Sequence, residues 1–215
     1  MLAQVVLDGA DDLLQDSTAD RWPIAQRLRW LNECQLAIVS MRPDAKAVTQ
    51  QMLTVAGEIQ SIPATAVRLL DVYRNVGGRG ITFVSREVLT ELTTNWPTEG
   101  LGTAIKHYTF DDRIPKEFIT YPPMQAGIKV LARFSVYPTP CATAQSAIDL
   151  DDVYQPAMSH YIAASALMKD GETASVTMAQ GHMQMFMALV SGQVQVQGAQ
   201  QPGNSQPALL APERI

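Results

Sequence analysis

One stretch constrains the rest of the chain: Arg21 to Ala45, RWPIAQRLRWLNECQLAIVSMRPDA. Its apolar residues Ile24, Leu28, Leu31, Cys34 and Ile38 recur at steps of four, three, three and four. That spacing keeps to a period of about 3.6 residues and draws one apolar stripe along a helix. Pro23 suits the first helical position, where its missing N–H would be unpaired in any case. Pro43 closes the segment, because the residue before a proline is pushed out of helical backbone. Arg27, Arg29, Asn32 and Glu33 fall off the stripe, on faces expected to meet water or another subunit. A helix with one apolar face needs partners, and the sequence supplies them at the far end of the chain.

Ahead of it, Leu2 to Gln15 carries Val5, Val6, Ala10, Leu13 and Leu14, a short amphipathic helix weakly interrupted by Gly9. Asp16 to Asp20, DSTAD, is a polar hinge rich in candidate N-caps. Helical grammar returns near Val153, with Asp151 or Asp152 as N-cap, Pro156 in the first turn, and Ala157, Met158, Tyr161, Ile162, Ser165 and Met168 on one face. Lys169-Asp170-Gly171 marks a bend. A second helix then runs to about Val190 with Ala174, Met178, Gly181, Met185 and Leu189 as its stripe. Beyond Gly192 the composition turns to Gln, Gly, Pro, Ser and Asn, a tail that cannot bury enough surface to fold alone.

Between the helical ends the grammar is that of strands. Val48 to Pro63 reads as two short strands around Gly57; Ala64 to Asn75 fits a buried strand or a turn of helix. Gly77 to Gly80, GGRG, is a hairpin tip. Ile81 to Arg86 is strand-like, Arg86 to Leu92 a short helix ended by Asn95, Trp96 and Pro97. IKHYTF, EFITYPP and GIKVLARFSVYP alternate and are rich in Ile, Val, Tyr and Phe, as strands of an antiparallel meander are. The expected fold is α+β: a small helical bundle formed by the N- and C-terminal helices, an inserted antiparallel β-rich lobe, and an extended C-terminal tail. Its expected divisions are residues 1–47, 48–140, 141–192 and 193–215.

At 215 residues the chain holds one substantial core or a core with a smaller lobe. A net charge of −5 without clustered Lys or Arg argues against a protein that grips nucleic acid through its phosphates. Cys34 and Cys141 set no disulfide framework, and Cys34 on the stripe reads as a small buried hydrophobe. The N-terminus is a poor secretory signal, and no apolar run is long enough to span a membrane. These features imply a soluble, cytosolic-type protein.

The motifs of nucleophilic hydrolases, zinc proteases and P-loop enzymes do not occur. Asp149, Asp151 and Asp152 lack the further ligands of a calcium loop, so helix capping is the expectation. His107, His160 and His182 have no metal-ligand spacing and are expected at surfaces or interfaces. Met178, Met183, Met185 and Met187 with Phe186 form a soft patch, either core packing or a plastic interface to another subunit. Arg27, Arg29, Arg42 and Arg68 are scattered, as solvated or subunit-contact residues are. A site assembled from His107, Asp111, Asp112 and Arg113 is conceivable, but DDRIPK reads most simply as a hairpin turn. No catalytic, metal or cofactor residue is assigned.

The order of these segments carries a resemblance. Arg21-Trp22, LRWLNE at 28–33, Gln35, AIV at 37–39 and PDA at 43–45 come first. GEIQSIP at 57–63, VYRNVGG at 72–78, HYTFDDRIPKEFITYPP at 107–123, FSVYP at 134–138, DDVYQPAMSHY at 151–161 and KDGE at 169–172 follow. Together, over Val5 to Val190, they resemble the head–tail adaptor (connector) proteins of tailed bacteriophages, ring subunits beneath the portal. The resemblance implies a structural virion protein and no enzyme. Its implied partners are the portal protein, a tail tube or nozzle protein, and further copies in a ring taken to be a dodecamer. Genomic DNA would pass the lumen without specific binding; no membrane and no cofactor are involved. The implied location is the head–tail junction, after assembly in the host cytoplasm. A tail-completion or neck protein more distal to the portal is the second reading, an enzyme or small-ligand binder the third. The tail's Pro207, Leu209, Leu210, Arg214 and Ile215 are the expected partner-docking residues, with portal as the partner.

Overall fold

The computed structural model describes residues 1–170 and 173–200. Helices α1 (Ala3–Leu14) and α2 (Ile24–Met41) lead through a short 3-10 turn to β1 (Ala47–Leu53), β2 (Gly57–Ser61), β3 (Ala66–Asn75) and β4 (Thr82–Phe83). Then come α3 (Arg86–Leu92), β5 (His107–Phe110), β6 (Glu117–Met124), β7 (Lys129–Val136), α4 (Gln155–Asp170) and α5 (Thr173–Gln200). The fold is α+β, with helices at both ends and strands between them. Two compact units result. One holds Met1–Cys34, Ala142–Ser146 and the chain from Asp152 on; the other holds Gln35–Cys141 and Ala147–Asp151. The division falls inside α2.

In the helical unit, the first and last stretches of the chain meet directly. The Ser159 hydroxyl on α4 donates to the Val6 carbonyl on α1 at 3.1 Å. A Cβ at Gly9 would come within 2.7 Å of that hydroxyl oxygen, so the expected weak point of α1 is where the two helices approach most closely. No side chain caps α1; instead the amides of Ala3 and Gln4 donate to the carbonyls of Ser146 and Ala144 at 2.9 and 2.7 Å.

Helix α2 keeps its expected stripe, with Leu28, Leu31, Cys34 and Ile38 buried, but Ile24 is half exposed. Pro23 lies just ahead of the helix, its carbonyl accepting from the Gln26 and Arg27 amides. Arg27 corrects the sequence expectation most sharply, being only 1% exposed. Its guanidinium is ion-paired with Asp11 of α1 and donates to the Asp16 carboxylate at 2.7 Å and the Asp16 carbonyl at 3.0 Å. Asp16 also accepts from the amides of Asp20 and Trp22. The DSTAD hinge is thus a loop wound around one carboxylate.

Helix α5 turns a different face inward from the one expected. Ala179, Phe186 and Val190 are buried, while Met178 and Met185 are about half exposed and Leu189 is half-buried. Apolar residues lie on every side of this helix, so periodicity does not choose the phase. Phe186 does: it packs edge-on against Tyr161 of α4, ring centroids 5.1 Å apart. On α4, Met168 likewise faces outward. Helix α5 continues to Gln200, past the expected end at Val190; the next proline in the sequence is Pro202. Gly171, and Ala174 as a side chain, lie outside the described residues.

In the strand unit, β7 is the centre of an antiparallel sheet ordered β1-β7-β3, and a second sheet is ordered β2-β6-β5-β4. The expected meander of the last three strands is therefore corrected. Strands β5 and β6 form a hairpin, but β7 leaves them and inserts between β1 and β3. Val130, Ala132 and Phe134 of β7 are fully buried, which suits a central strand. They share a core with Leu69 and Val72 of β3 and Phe118 of β6. Strand β3 settles the ambiguous segment and explains the ambiguity. Register shifts at Ala66/Arg68, Leu69/Asp71 and Val72/Arg74 bury Ala66, Leu69, Val72 and Asn75, a helix-like step of three along a strand. The strand expected from Ile81 to Arg86 shrinks to Thr82 and Phe83, parallel to β5.

Candidate interaction site

Two exposed surfaces stand out, one in each unit. On the helical unit, Met178, Met185 and Met187 of α5 are 55, 48 and 46% exposed, and Met168 of α4 is 50% exposed. Thioether side chains with several rotatable bonds adapt to varied surfaces, and apolar patches of this kind mark interaction sites. The expectation of core packing is thus corrected for these methionines, and the interface alternative remains; Phe186 alone of that cluster is core.

On the strand unit, a groove of about 680 Å³ runs between the β5–β6 turn and the start of α3. Ile59, Phe83 and Ile114, each about half exposed, give it apolar lips. Glu87, Asp111, Asp112 and Glu117 line it with carboxylates, against Arg86 and Arg113. Much of this charge is spent locally. Arg113 sits 3.6 Å from Asp111, and Arg68 is ion-paired with Asp112. Asp111 also accepts from the Arg113 amide at 2.9 Å, closing the DDRIPK turn as the sequence suggests. The Glu87 carboxyl is held below its ordinary range by its own backbone amide and the Ser85 hydroxyl. His107 does not join the groove. It lies at the opposite end of β5, stacked on Tyr121 with centroids 6.2 Å apart, so the four residues of the conceived ligand site do not converge.

The other histidines meet. His160 on α4 and His182 on α5 are half-buried with their Nδ1 atoms 2.9 Å apart, so one ring donates and the other accepts. Burial lowers both pKa values, and for His160 the neighbouring ring adds to it. Among the described residues no three His, Cys, Asp or Glu side chains are grouped to hold a metal ion. Cys34 and Cys141 are buried free thiols raised by that burial.

The acidic cluster before α4 is divided among several partners. Asp149 accepts from the Thr139 amide at 2.9 Å and pairs with Lys46 at 3.1 Å. Asp152 opens the turn ahead of α4 and takes the Met1 amino group at 2.8 Å. Arg42, expected to be solvated, is buried with Asp44 at 2.6 Å and holds that carboxyl below its ordinary range.

The family model of the SU10 adaptor protein matches residues 1–207. The chain belongs to the SU10 adaptor protein family. No curated protein matches it. The family is one of phage head–tail adaptors, so the protein is a bacteriophage structural adaptor. Among the described residues of this adaptor no helix is long and apolar enough to cross a membrane.

Several motif residues of the adaptor prove to be builders of the strand unit. Asn75, from the VYRNVGG segment, donates to the Ile105 carbonyl and accepts from the Ile105 amide, both at 2.8 Å. Gln60, from GEIQSIP, does the same for Val55 at 3.0 and 2.8 Å. Sequence reasoning missed Arg27 as a buried residue and Ile59, Phe83 and Ile114 as groove residues. Nothing in their spacing links these last three. Pro207, Leu209, Leu210, Arg214 and Ile215 lie outside the described residues.

Proposed function

We propose that this adaptor assembles into a ring that joins the portal to the tail and continues the DNA channel. The observation that carries the reading is Met178 and Met185, seven residues apart and so on one side of α5, apolar and turned to water in a single copy. Repeated head-to-tail, one such face against another surface of the next copy closes a ring. A dodecamer fits the partners named for it: portal on one side, a tail tube or nozzle protein on the other. A subunit of net charge −5 without a basic cluster makes a wall along which DNA slides unheld. In this reading the C-terminal residues Pro207, Leu209, Leu210, Arg214 and Ile215 form the arm that docks on portal, at the head–tail junction of the virion. Assembly takes place in the host cytoplasm, and no chemistry is catalysed.

The test is imaging of the purified protein with and without portal. Rings, alone or on added portal, support the reading; a single copy indifferent to portal overturns it. Truncation after Gln200 keeps α4 and α5 and removes the arm, and its expected result is loss of co-purification with portal.

A further inference from the structure

The strand unit leaves one sheet edge open. In the sheet ordered β1-β7-β3, β1 is an outer strand. Edges left in water are ordinarily blunted by charge, proline, a bulge or a covering segment, because their unpaired backbone groups capture other strands. The other outer edges of this unit are blunted in such ways. Strand β3 is covered by its own chain: the Leu69 amide donates to the Pro115 carbonyl at 3.1 Å, and the Tyr73 carbonyl accepts from the Ile81 amide at 2.9 Å. Strand β2 is bulged between Gly57 and Ile59 and carries Glu58, and β4 is two residues long. Strand β1 has none of these devices. Its seven residues, AVTQQML, hold no charge and no proline, and its register with β7 is unbroken from Ala47 opposite Ser135 to Leu53 opposite Lys129. Val48, Thr49, Gln51 and Leu53 are exposed, and among the described residues no segment pairs with the outer side of β1.

We propose that this edge pairs with β1 of a second copy, antiparallel about a two-fold axis at Gln50, and that the free adaptor is a dimer so formed. The register follows from the phase of the backbone. The Thr54 amide donates to the Ile128 carbonyl at 2.9 Å, so Thr54 turns its backbone toward β7, and that direction alternates along an antiparallel strand. Met52, Gln50 and Val48 therefore bond to β7, while Leu53, Gln51, Thr49 and Ala47 turn N–H and C=O outward. Two such outward sets meet donor to acceptor when Thr49 of each copy lies opposite Gln51 of the other, and Ala47 opposite Leu53. The axis then passes between the two Gln50 residues. No like charges face each other across it, and two three-stranded sheets join into one. A two-fold contact closes on itself and cannot run round a ring. It belongs to the free adaptor, where it covers the edge most open to stray pairing. Seven paired residues make a small interface, so dissociation is expected at about 10–100 µM.

The experiment is sedimentation equilibrium of the full chain on both sides of that concentration, where a monomer–dimer equilibrium is expected. Gln50→Lys and Gln50→Glu each set like charges opposite one another across the axis. Each alone is expected to weaken the dimer about fivefold, and an equal mixture of the two to restore it. Gln51→Pro removes an outward N–H without touching the β7 ladder and is expected to leave a folded monomer. Crosslinking fixes the register independently. Thiols introduced by Gln50→Cys lie about 4.5 Å apart at Cα across the axis and should oxidise to a disulfide dimer. Those of Gln51→Cys are offset by roughly 7 Å along the strand and should not; the native thiols are buried. A monomer throughout, assemblies larger than two, or equal crosslinking at the two positions overturns the proposal. Rings on portal are expected from Gln50→Lys as from the unaltered chain. Their loss in the variant alone would put β1 in the ring contact and overturn the proposal; their absence from both removes the ring reading and leaves the dimer standing.

Discussion

In the helical unit a full positive charge lies inside, and methionines lie in water. The strand unit differs: besides Arg42 with its partner Asp44 it buries the neutral amides of Gln60 and Asn75, and carboxylates crowd its open groove. The two interiors are specified differently. Arg27 fixes where α1, the hinge and α2 meet by satisfying two carboxylates from separate segments, a contact whose failure strands a charge. The amides of Gln60 and Asn75 each imitate one rung of a sheet, tying a loop to a strand. The two exteriors differ too, one showing methionines to water and the other carboxylates between apolar lips.

That contrast is broken most directly at Arg27. Arg27→Ala leaves Asp11 and Asp16 without their shared partner and is expected to cost ~3–5 kcal/mol, the range for stranding a buried charge. Denaturant unfolding checks it, and a loss below ~1 kcal/mol would mean the pair is solvated. Asn75→Ala should cost about 2–3 kcal/mol, since the Ile105 amide and carbonyl both lose a partner. Thermal unfolding of this variant beside Gln60→Ala shows whether the two amides are equivalent, as their geometry implies.

A gentler test separates the units by pH. His160 and His182 titrate below their ordinary value in the folded protein, so the unfolded chain binds more protons. Their contribution is fully present above about pH 6.5, the unfolded value, and is lost as pH falls from there through the folded values. Both rings are only partly buried, so the slope is expected well under the ~1.4 kcal/mol per pH unit of one whole proton. Unfolding midpoints between pH 7.5 and about 5.5 measure it; a His160→Gln, His182→Gln double variant should flatten the curve. The smallest stability effect belongs to Met178→Lys with Met185→Lys, about 0.5 kcal/mol or less for each exposed site. Particle imaging with portal should nevertheless lose its rings, and rings that persist would sink the methionine face as an interface.

How legible this was in the sequence also differs between the units. The stripe of α2, the span of α3 and the existence of β5, β6 and β7 could be read because apolar spacing or β-branched runs mark them directly. The pairing of β7 could not be read, since its residues suit a neighbour in either sheet. Strand β3 was masked by its own bulges, which give a strand the step of a helix. The phase of α5 was hidden by apolar residues on every side, and it turns on a single ring contact, Phe186 with Tyr161. Arg27 reads as a residue facing water or another subunit because its identity does not reveal that carboxylates 11 and 16 residues away along the chain will close on it. The groove was illegible for a related reason, its lips coming from β2, β4 and the β5–β6 turn.

The position of β7 has a consequence for synthesis. Strands β1 and β3 leave the ribosome with no neighbour on the side where β7 belongs, and the missing strand follows β3 by more than fifty residues of chain, Asn75 to Lys129. Until then two strand edges wait with their backbone groups unpaired, in a part of the molecule where distant pairing makes closure slow. A nascent adaptor therefore passes through a stage in which its strands are most exposed to one another's copies, and translation speed across residues 76–136 sets how long that stage lasts.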